Sequence, residues 1–384
     1  MLGSHRDKMR EKIMWLIIFA VSILAGIIGA LYLAGKIEKT GIFSFTDKAW
    51  LVKVLAILVV IVIALILNAV FDVSNTIIIF MHIAVFMLAG DLVVFVSGKV
   101  SEKPLPSGKV QIVALAACLI YLCVGWYLMH GLWETDYLIE TDKEVGKIRI
   151  AQIADTHIGC GFSGKEFGEK LEKVQKADPD VLVITGDFVD DGTNRQDMLD
   201  ACAALGKFKT KYGTYFCLGN HDFGYYSSER RGYSGEDLIA EMEKNGVTVL
   251  RDESVLIDGR FYLIGRCDAG YGRADRASAD ELMKDLDSDY YTVMLDHQPT
   301  DYDAEAAAGV DLVLSGHTHG GQLFPLEFIQ PLVSKNDNVR GLVTRGRTDF
   351  IVTDGFSDWE IKFRKGCKSE YNIIVVAEGR KAGR

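Results

Sequence analysis

The chain has 384 residues, 49% of them hydrophobic, with 42 Lys/Arg against 52 Asp/Glu and a net charge of −10. Residues 1–133 carry 11 Lys/Arg and 7 Asp/Glu, so the acidic excess, a net of −14, falls entirely in residues 134–384. That balance argues against electrostatic binding of nucleic acid, which needs a basic footprint, and seven cysteines without CxxC spacing exclude a disulfide framework or a zinc knuckle.

The first elements in chain order are four apolar stretches, at residues 13–35, 50–71, 76–97 and 110–130. Each reaches about 20 residues, the length a helix needs to cross the hydrocarbon core. Runs such as "VLAILVVIVIALIL" have no polar face, which a soluble bundle would require. The first stretch is long for a cleaved signal and three more spans follow, so a retained helix is expected. Ser22, Gly26 and Ala30 form a stripe of small residues suited to close helix packing. Four spans put both termini on one side. The flanking charges nearly balance, and the unpaired cysteines of the second part favour a reducing, cytoplasmic side for it. His82 and Asp91 fall inside the third span. Such groups suggest transport or proton relay, against the plainer reading that Asp91 sits near the span's end and reaches water. Residues 131–147, charged and without a long apolar run, read as a connector.

From Lys147 onward, short apolar runs alternate with stretches of helical periodicity. "KIRIAQIA", "DVLVIT", "GTYFCL", "YTVMLD" and "VDLVLS" read as strands. "KEFGEKLEKVQKA", "RQDMLDACAALGKFK" and "GEDLIAEMEKNG" read as helices. This alternation predicts a layered α/β domain with largely parallel sheets, whose ligands bind beyond the carboxyl ends of the strands. Every polar cluster lies there: Asp155 and His157, Asp187, Asn220 and His221, His297, and His317 with His319. All five histidines of the second part are in this set. Imidazole and carboxylate together, without thiolate, suit zinc, iron or manganese. Glycines before Asp187, Asn220 and His317 would let the backbone turn sharply after a strand.

The order D-x-H, G-D, G-N-H-D, H, G-H-x-H resembles the calcineurin-like metallophosphoesterases over residues 148–378. "GHTHGGQ" with the ending "IKFRKGCKSEYNIIVV" is most similar to the bacterial membrane-associated phosphodiesterases, a subgroup that includes enzymes cleaving the pyrophosphate of UDP-diacylglucosamine. The resemblance implies a β-sheet sandwich flanked by helices and two divalent metal ions (Mn, Fe or Zn). It implies that Asp155, His157, Asp187 and His319 hold one ion, and that Asp187, Asn220, His297 and His317 hold the second. A hydroxide between the ions would attack phosphorus. His221 would contact the phosphoryl group or protonate the leaving oxygen, with Asp222 orienting it. Asp190 and Asp191 read as turn or capping residues. Arg230 and Arg231, in an aromatic-rich stretch, are candidates for substrate phosphate. "FPLEFIQPLV" would cover the core or touch lipid. The expectation is therefore a four-span helical membrane domain (1–130), a connector (131–147) and an α/β metallophosphoesterase domain (148–378). It would cleave a phosphodiester or pyrophosphate bond of a phosphorylated small molecule or a lipid, beside membrane lipid and without nucleic acid. A phosphomonoesterase or nucleotide phosphodiesterase acting on a soluble substrate, and a ligand-binding membrane sensor, are the alternatives.

Overall fold

A computed structural model describes residues 2–224, 228–269, 276–322, 328 and 334–379. It divides into two units, residues 1–124 and 125–384.

The first unit holds α1 (Leu2–Glu38), α2 (Ala49–Val70), α3 (Val73–Val100) and most of α4 (Ser107–His130). Each helix contains a segment long and apolar enough to cross a membrane. On length and composition the chain is a membrane protein. The side chains of α2 are largely outward-facing: Leu58, Ile61, Val62, Leu65 and Ile66 stay exposed, as a lipid-facing helix requires. The small-residue stripe brings α1 close to α3. A Cβ on Gly26 would lie 3.1 Å from Ile77, and one on Gly29 would lie 3.4 Å from Ala84. Asp91 is not a solitary charge. Its carboxylate accepts from the Tyr32 hydroxyl at 2.7 Å and the Gln111 amide at 2.6 Å, and pairs with Lys36. These bonds tie α1, α3 and α4 together by polar groups. His82 Nδ1 lies 2.7 Å from the Ile78 carbonyl of its own helix.

The second unit is a four-layer α/β/β/α sandwich. In chain order its elements are β1 (Trp133–Thr141), β2 (Lys147–Ile153), α5 (Gly164–Gln175), β3 (Val181–Thr185), α6 (Arg195–Leu205), β4 (Thr214–Cys217), the single turn α7 (Ser228–Arg231), α8 (Gly235–Lys244), β5 (Val247–Val249), β6 (Glu253–Ile257) and β7 (Phe261–Gly265). Then come α9 (Ala279–Met283), β8 (Tyr291–Leu295), α10 (Tyr302–Ala307), β9 (Leu312–Ser315), β10 (Gly341–Arg345), β11 (Thr348–Val352) and β12 (Glu370–Glu378). One sheet has the order β1-β12-β2-β3-β4-β5, the other β10-β11-β9-β8-β7-β6. β2 to β5 are mutually parallel, as are β7, β8, β9 and β11.

Strand alternation assigns the layers. In β3, Val181 and Val183 face the opposite sheet, where they meet Leu263, Val293 and Leu312. Leu182 and Ile184 face Phe167 and Leu171 of α5 and Met198 of α6. β8 behaves likewise: Val293 and Leu295 join the core between the sheets, and Met294 packs under α9 and α10. Strands covered on both faces read as continuous apolar runs, which is why these were visible in the sequence.

The expected connector is corrected. Within residues 131–147, β1 pairs in parallel with β12, Trp133 opposite Glu370 through Thr141 opposite Glu378. "WETDYLIET" alternates in burial with period two, so it presents one face to the sheet without ever making an apolar run.

Candidate active site

The carboxyl ends of β2, β3, β4, β8 and β9 meet at one rim, and the expected ligands come with them. Three groups lie with their ligand atoms within 4.8 Å: Asp155 with His157 and His319, Asp187 with His297 and His317, and His157 with Asp190 and His221. Asp187 stands between the first two. Its Oδ2 is 3.1 Å from His297 Nε2 and 3.8 Å from His157 Nε2, while Oδ1 accepts from the His221 amide at 2.9 Å. One Asp155 oxygen lies 3.7 Å from His319 Nε2, and both accept from the His317 amide at 2.9 and 3.0 Å.

The backbone here is strained. Asp155, His157, Asp187, His317 and His319 all have φ between 39° and 72°, the left-handed region that non-glycine residues avoid. Five such residues at strand ends mark a place where geometry, rather than local preference, was selected. The expectation for the preceding glycines holds for one of three. Gly186 has φ of 84°, whereas Gly219 and Gly316 are outside the left-handed region. Those two are needed for room. A Cβ on Gly316 would lie 2.5 Å from Asp155 Oδ2, and one on Gly219 would run into Asp187 Oδ1.

Second partners aim the ligands. His297 Nδ1 lies 2.8 Å from the Thr185 carbonyl, which turns Nε2 toward Asp187. His319 Nδ1 lies 3.0 Å from Asp358 and 3.1 Å from the Ser357 carbonyl. Asp358 is gripped in turn by the fully buried Arg364 at 2.7 and 3.0 Å. Sequence reading missed Asp358 and Arg364, although the apolar run "FIV" and Gly355 just before them mark a strand end.

The role expected of Asp222 is also corrected. Its buried carboxylate accepts from the amides of Asp187, Phe188, Val189 and Gly219 at 2.7 to 3.1 Å. It therefore fixes the two ligand loops to each other. The carboxylate that meets His221 is Asp190, whose Oδ1 is 2.8 Å from Nδ1, with Asp191 Oδ2 at 3.5 Å. Asp190 also lies 3.6 Å from His157, so it is more than a turn residue. The spacing G-D-F-V-D-D held this signal: three residues past Asp187 the chain is still beside the rim.

Arg231 does not reach for substrate. It is buried and donates to the carbonyls of His221, Asp222 and Tyr233 at 3.2, 2.7 and 3.2 Å. Arg230 is exposed on the same short turn. The aromatic residues Tyr225 and Tyr226 lie outside the described residues, as does "FPLEFIQPLV" apart from the exposed Phe328.

Charge follows geometry. Burial works against a charged imidazole at His221, but Asp187 and the bonds to Asp190 and Asp191 outweigh it and push the pKa up to about 10. His317 goes the other way, down to about 3, through burial and repulsion by His297. Burial and the charge of Asp187 push Asp222 up to about 7.

A divalent metal suits this set. Asn220 Oδ1 and both His157 ring nitrogens are buried without a hydrogen-bond partner among the described residues. Buried polar atoms left in that state are costly unless something else satisfies them. Neutral imidazole, carboxylate and amide oxygen are the donors that first-row divalent ions take.

Comparison with known proteins agrees. The calcineurin-like phosphoesterase family model matches residues 148–321. A metallophosphoesterase of Aquifex aeolicus is 35% identical over 195 residues, covering 49% of this chain and 70% of its own. One from Campylobacter jejuni is 28% identical over 282 residues, covering 71% of this chain and 70% of its own. A transmembrane protein with metallophosphoesterase domain from Bos taurus is 28% identical over 252 residues, covering 60% of this chain and 53% of its own.

Proposed function

The chain belongs to the calcineurin-like metallophosphoesterase family, and on that premise we propose that it hydrolyses a phosphodiester or pyrophosphate bond of a lipid-linked substrate with the help of two divalent ions. Asp155, His157, Asp187 and His319 would hold one ion; Asp187, Asn220, His297 and His317 would hold the other. When bound, such ions supply positive charge against phosphoryl oxygens and an acidified water. Manganese, iron and zinc all suit the donors.

The chain's own residues do the rest. His221 gives a proton to the leaving oxygen from Nε2, because Nδ1 is engaged by Asp190 at 2.8 Å. Asp190 holds the ring in plane and stabilises its charged form. Asp222 acts one step back, by joining the Asp187 loop to the turn that carries Asn220 and His221. The observation that carries the phosphoesterase reading is the convergence of two Asp/His groups on the shared Asp187.

A second observation favours a lipid-linked substrate over a soluble one. The loop that holds His319 through Ser357 and Asp358 continues to Ser369, and this loop is clamped onto the last turns of α4. Arg364 N donates to the Gly125 carbonyl at 3.0 Å, Ser369 N to Leu128 at 3.0 Å and Ser369 Oγ to Met129 at 2.6 Å. Gly125, Leu128 and Met129 are among the final residues of a helix long and apolar enough to cross a membrane.

The test uses the full chain in detergent, loaded with manganese, on an aryl phosphodiester and an aryl phosphomonoester, with Asp187→Asn and His221→Ala as controls. Diester turnover lost in both variants supports the reading. Faster monoester turnover, or diester turnover untouched by Asp187→Asn, would refute it. Comparing a lipid pyrophosphate in mixed micelles with its deacylated form then separates lipid-linked from soluble substrates.

A further inference from the structure

We propose that Trp359 selects the leaving group of this reaction, and that the group it takes is apolar and ring-bearing. The proposal rests on the reading above, in which His221 protonates the leaving oxygen.

Trp359 sits at the rim with its ring centroid 6.0 Å from that of His221 and the planes inclined at 38°. The imidazole that gives the proton therefore has this indole as a neighbour. The side chain is only partly buried and, among the described residues, belongs to none of the hydrophobic clusters of the second unit. A tryptophan kept for packing would be in one of them, because large aromatics dominate cores. One left half-open beside a proton donor is placed to meet what that donor protonates.

The indole is also held still. Phe356 N donates to the Ala154 carbonyl at 2.8 Å and Ser357 N to Asp155 at 3.0 Å. Asp358, the residue immediately before Trp359, is fixed by Arg364 on one side and His319 on the other. A backbone pinned at three successive residues displays the next side chain with little ordering left to lose on binding, which is the condition for stacking to count toward affinity. Two of the three, Ser357 and Asp358, touch the ligand residues Asp155 and His319, so the position of Trp359 is tied to the metal site.

An indole face gives dispersion and quadrupole contacts and no countercharge. It rewards a ring or other flat apolar group and gives nothing extra to a small alkyl alcohol. Selectivity between leaving groups then appears as a ratio of kcat/KM values.

The experiment compares methyl 2-naphthyl phosphate with methyl phenyl phosphate, whose leaving alcohols have similar acidity, on the manganese-loaded full chain. The wild type should prefer the naphthyl ester by about fivefold, because its second ring covers more of the indole, at about 25 cal/mol per Å² of apolar surface. Trp359→Ala should bring the ratio to within twofold, and Trp359→Phe should keep part of it. An equal fall on both esters with the ratio retained would make Trp359 merely structural and overturn the proposal. Should the wild type turn over neither ester, the hydrolase reading fails, and stacking is judged by affinity instead. Naphthylmethylphosphonate should then bind about fivefold tighter than benzylphosphonate in the wild type and equally in Trp359→Ala. Equal binding in the wild type overturns the proposal independently of turnover.

Discussion

Arg364→Met removes the buried cation behind His319, and its cost follows from what the guanidinium holds. Arg364 donates to both oxygens of Asp358 at 2.7 and 3.0 Å, and to the carbonyls of Ser357, Asp354 and Lys368 at 2.5, 2.6 and 2.8 Å. Arg364 and Asp358 have no exposed surface. Burial alone would raise the Asp358 pKa; the charge of Arg364 reverses this and keeps it low. Taking the cation away leaves a buried carboxylate without its counterion, at about 3–5 kcal/mol. For a unit of this size that lowers Tm by roughly 6–20 °C, at about 2–4 °C per kcal/mol. Asp358 also steers His319, so metal affinity should fall about 10–100-fold, as for other residues that orient a ligand. Thermal unfolding of the full chain in detergent, followed by near-ultraviolet circular dichroism, reads the first effect; manganese titration reads the second. The double variant Asp358→Asn/Arg364→Met should be more stable than the single, because the stranded charge goes with it. A Tm within 2 °C of wild type in the single variant (roughly 1 kcal/mol), or a double variant that is the sum of its parts, would refute the argument.

Asp190→Asn takes away a charge that helps raise the His221 pKa. Asp190 favours the acid form of His221, so in the variant the alkaline limb of kcat should move to lower pH and kcat should drop about 10-fold or more. Stability due to this shift has the same sign: it is complete below about pH 6.5 and disappears as pH rises through about 10. Gly316→Ala puts a methyl group 2.5 Å from Asp155 Oδ2, and the overpacking should cost about 1–3 kcal/mol and weaken metal binding measured by calorimetry. Arg231→Met should lower Tm by several degrees, because three carbonyls lose their donor. A variant that raised KM at unchanged Tm would restore Arg231 as a substrate ligand.

Much of the site was legible because strand ends are legible. "DVLVIT" and "VDLVLS" are buried on both faces, so each appears as an apolar run with a sharp end, and a polar residue just past that end must lie at the rim. β1 escaped because an edge strand shows only alternation, which a charged stretch such as "WETDYLIET" disguises. Asp190 escaped for a different reason. A carboxylate in "VDDG" has the composition of a turn whether or not an imidazole stands 2.8 Å away.

The linear order of residues determined the apolar length of four helices, the alternation that makes a layered α/β domain, and the chemical type of the ligand set, since each depends on periodicity and residue identity alone. Which carboxylate serves which imidazole was decided only in three dimensions. Asp222 is next to His221 in sequence yet points its oxygens at four amides, while Asp190, 31 residues earlier, meets the ring. Asp358 and Arg364 reach His319 from some 40 residues downstream. Sheet register brings such groups together, and register is a property of the packed strands rather than of any one segment.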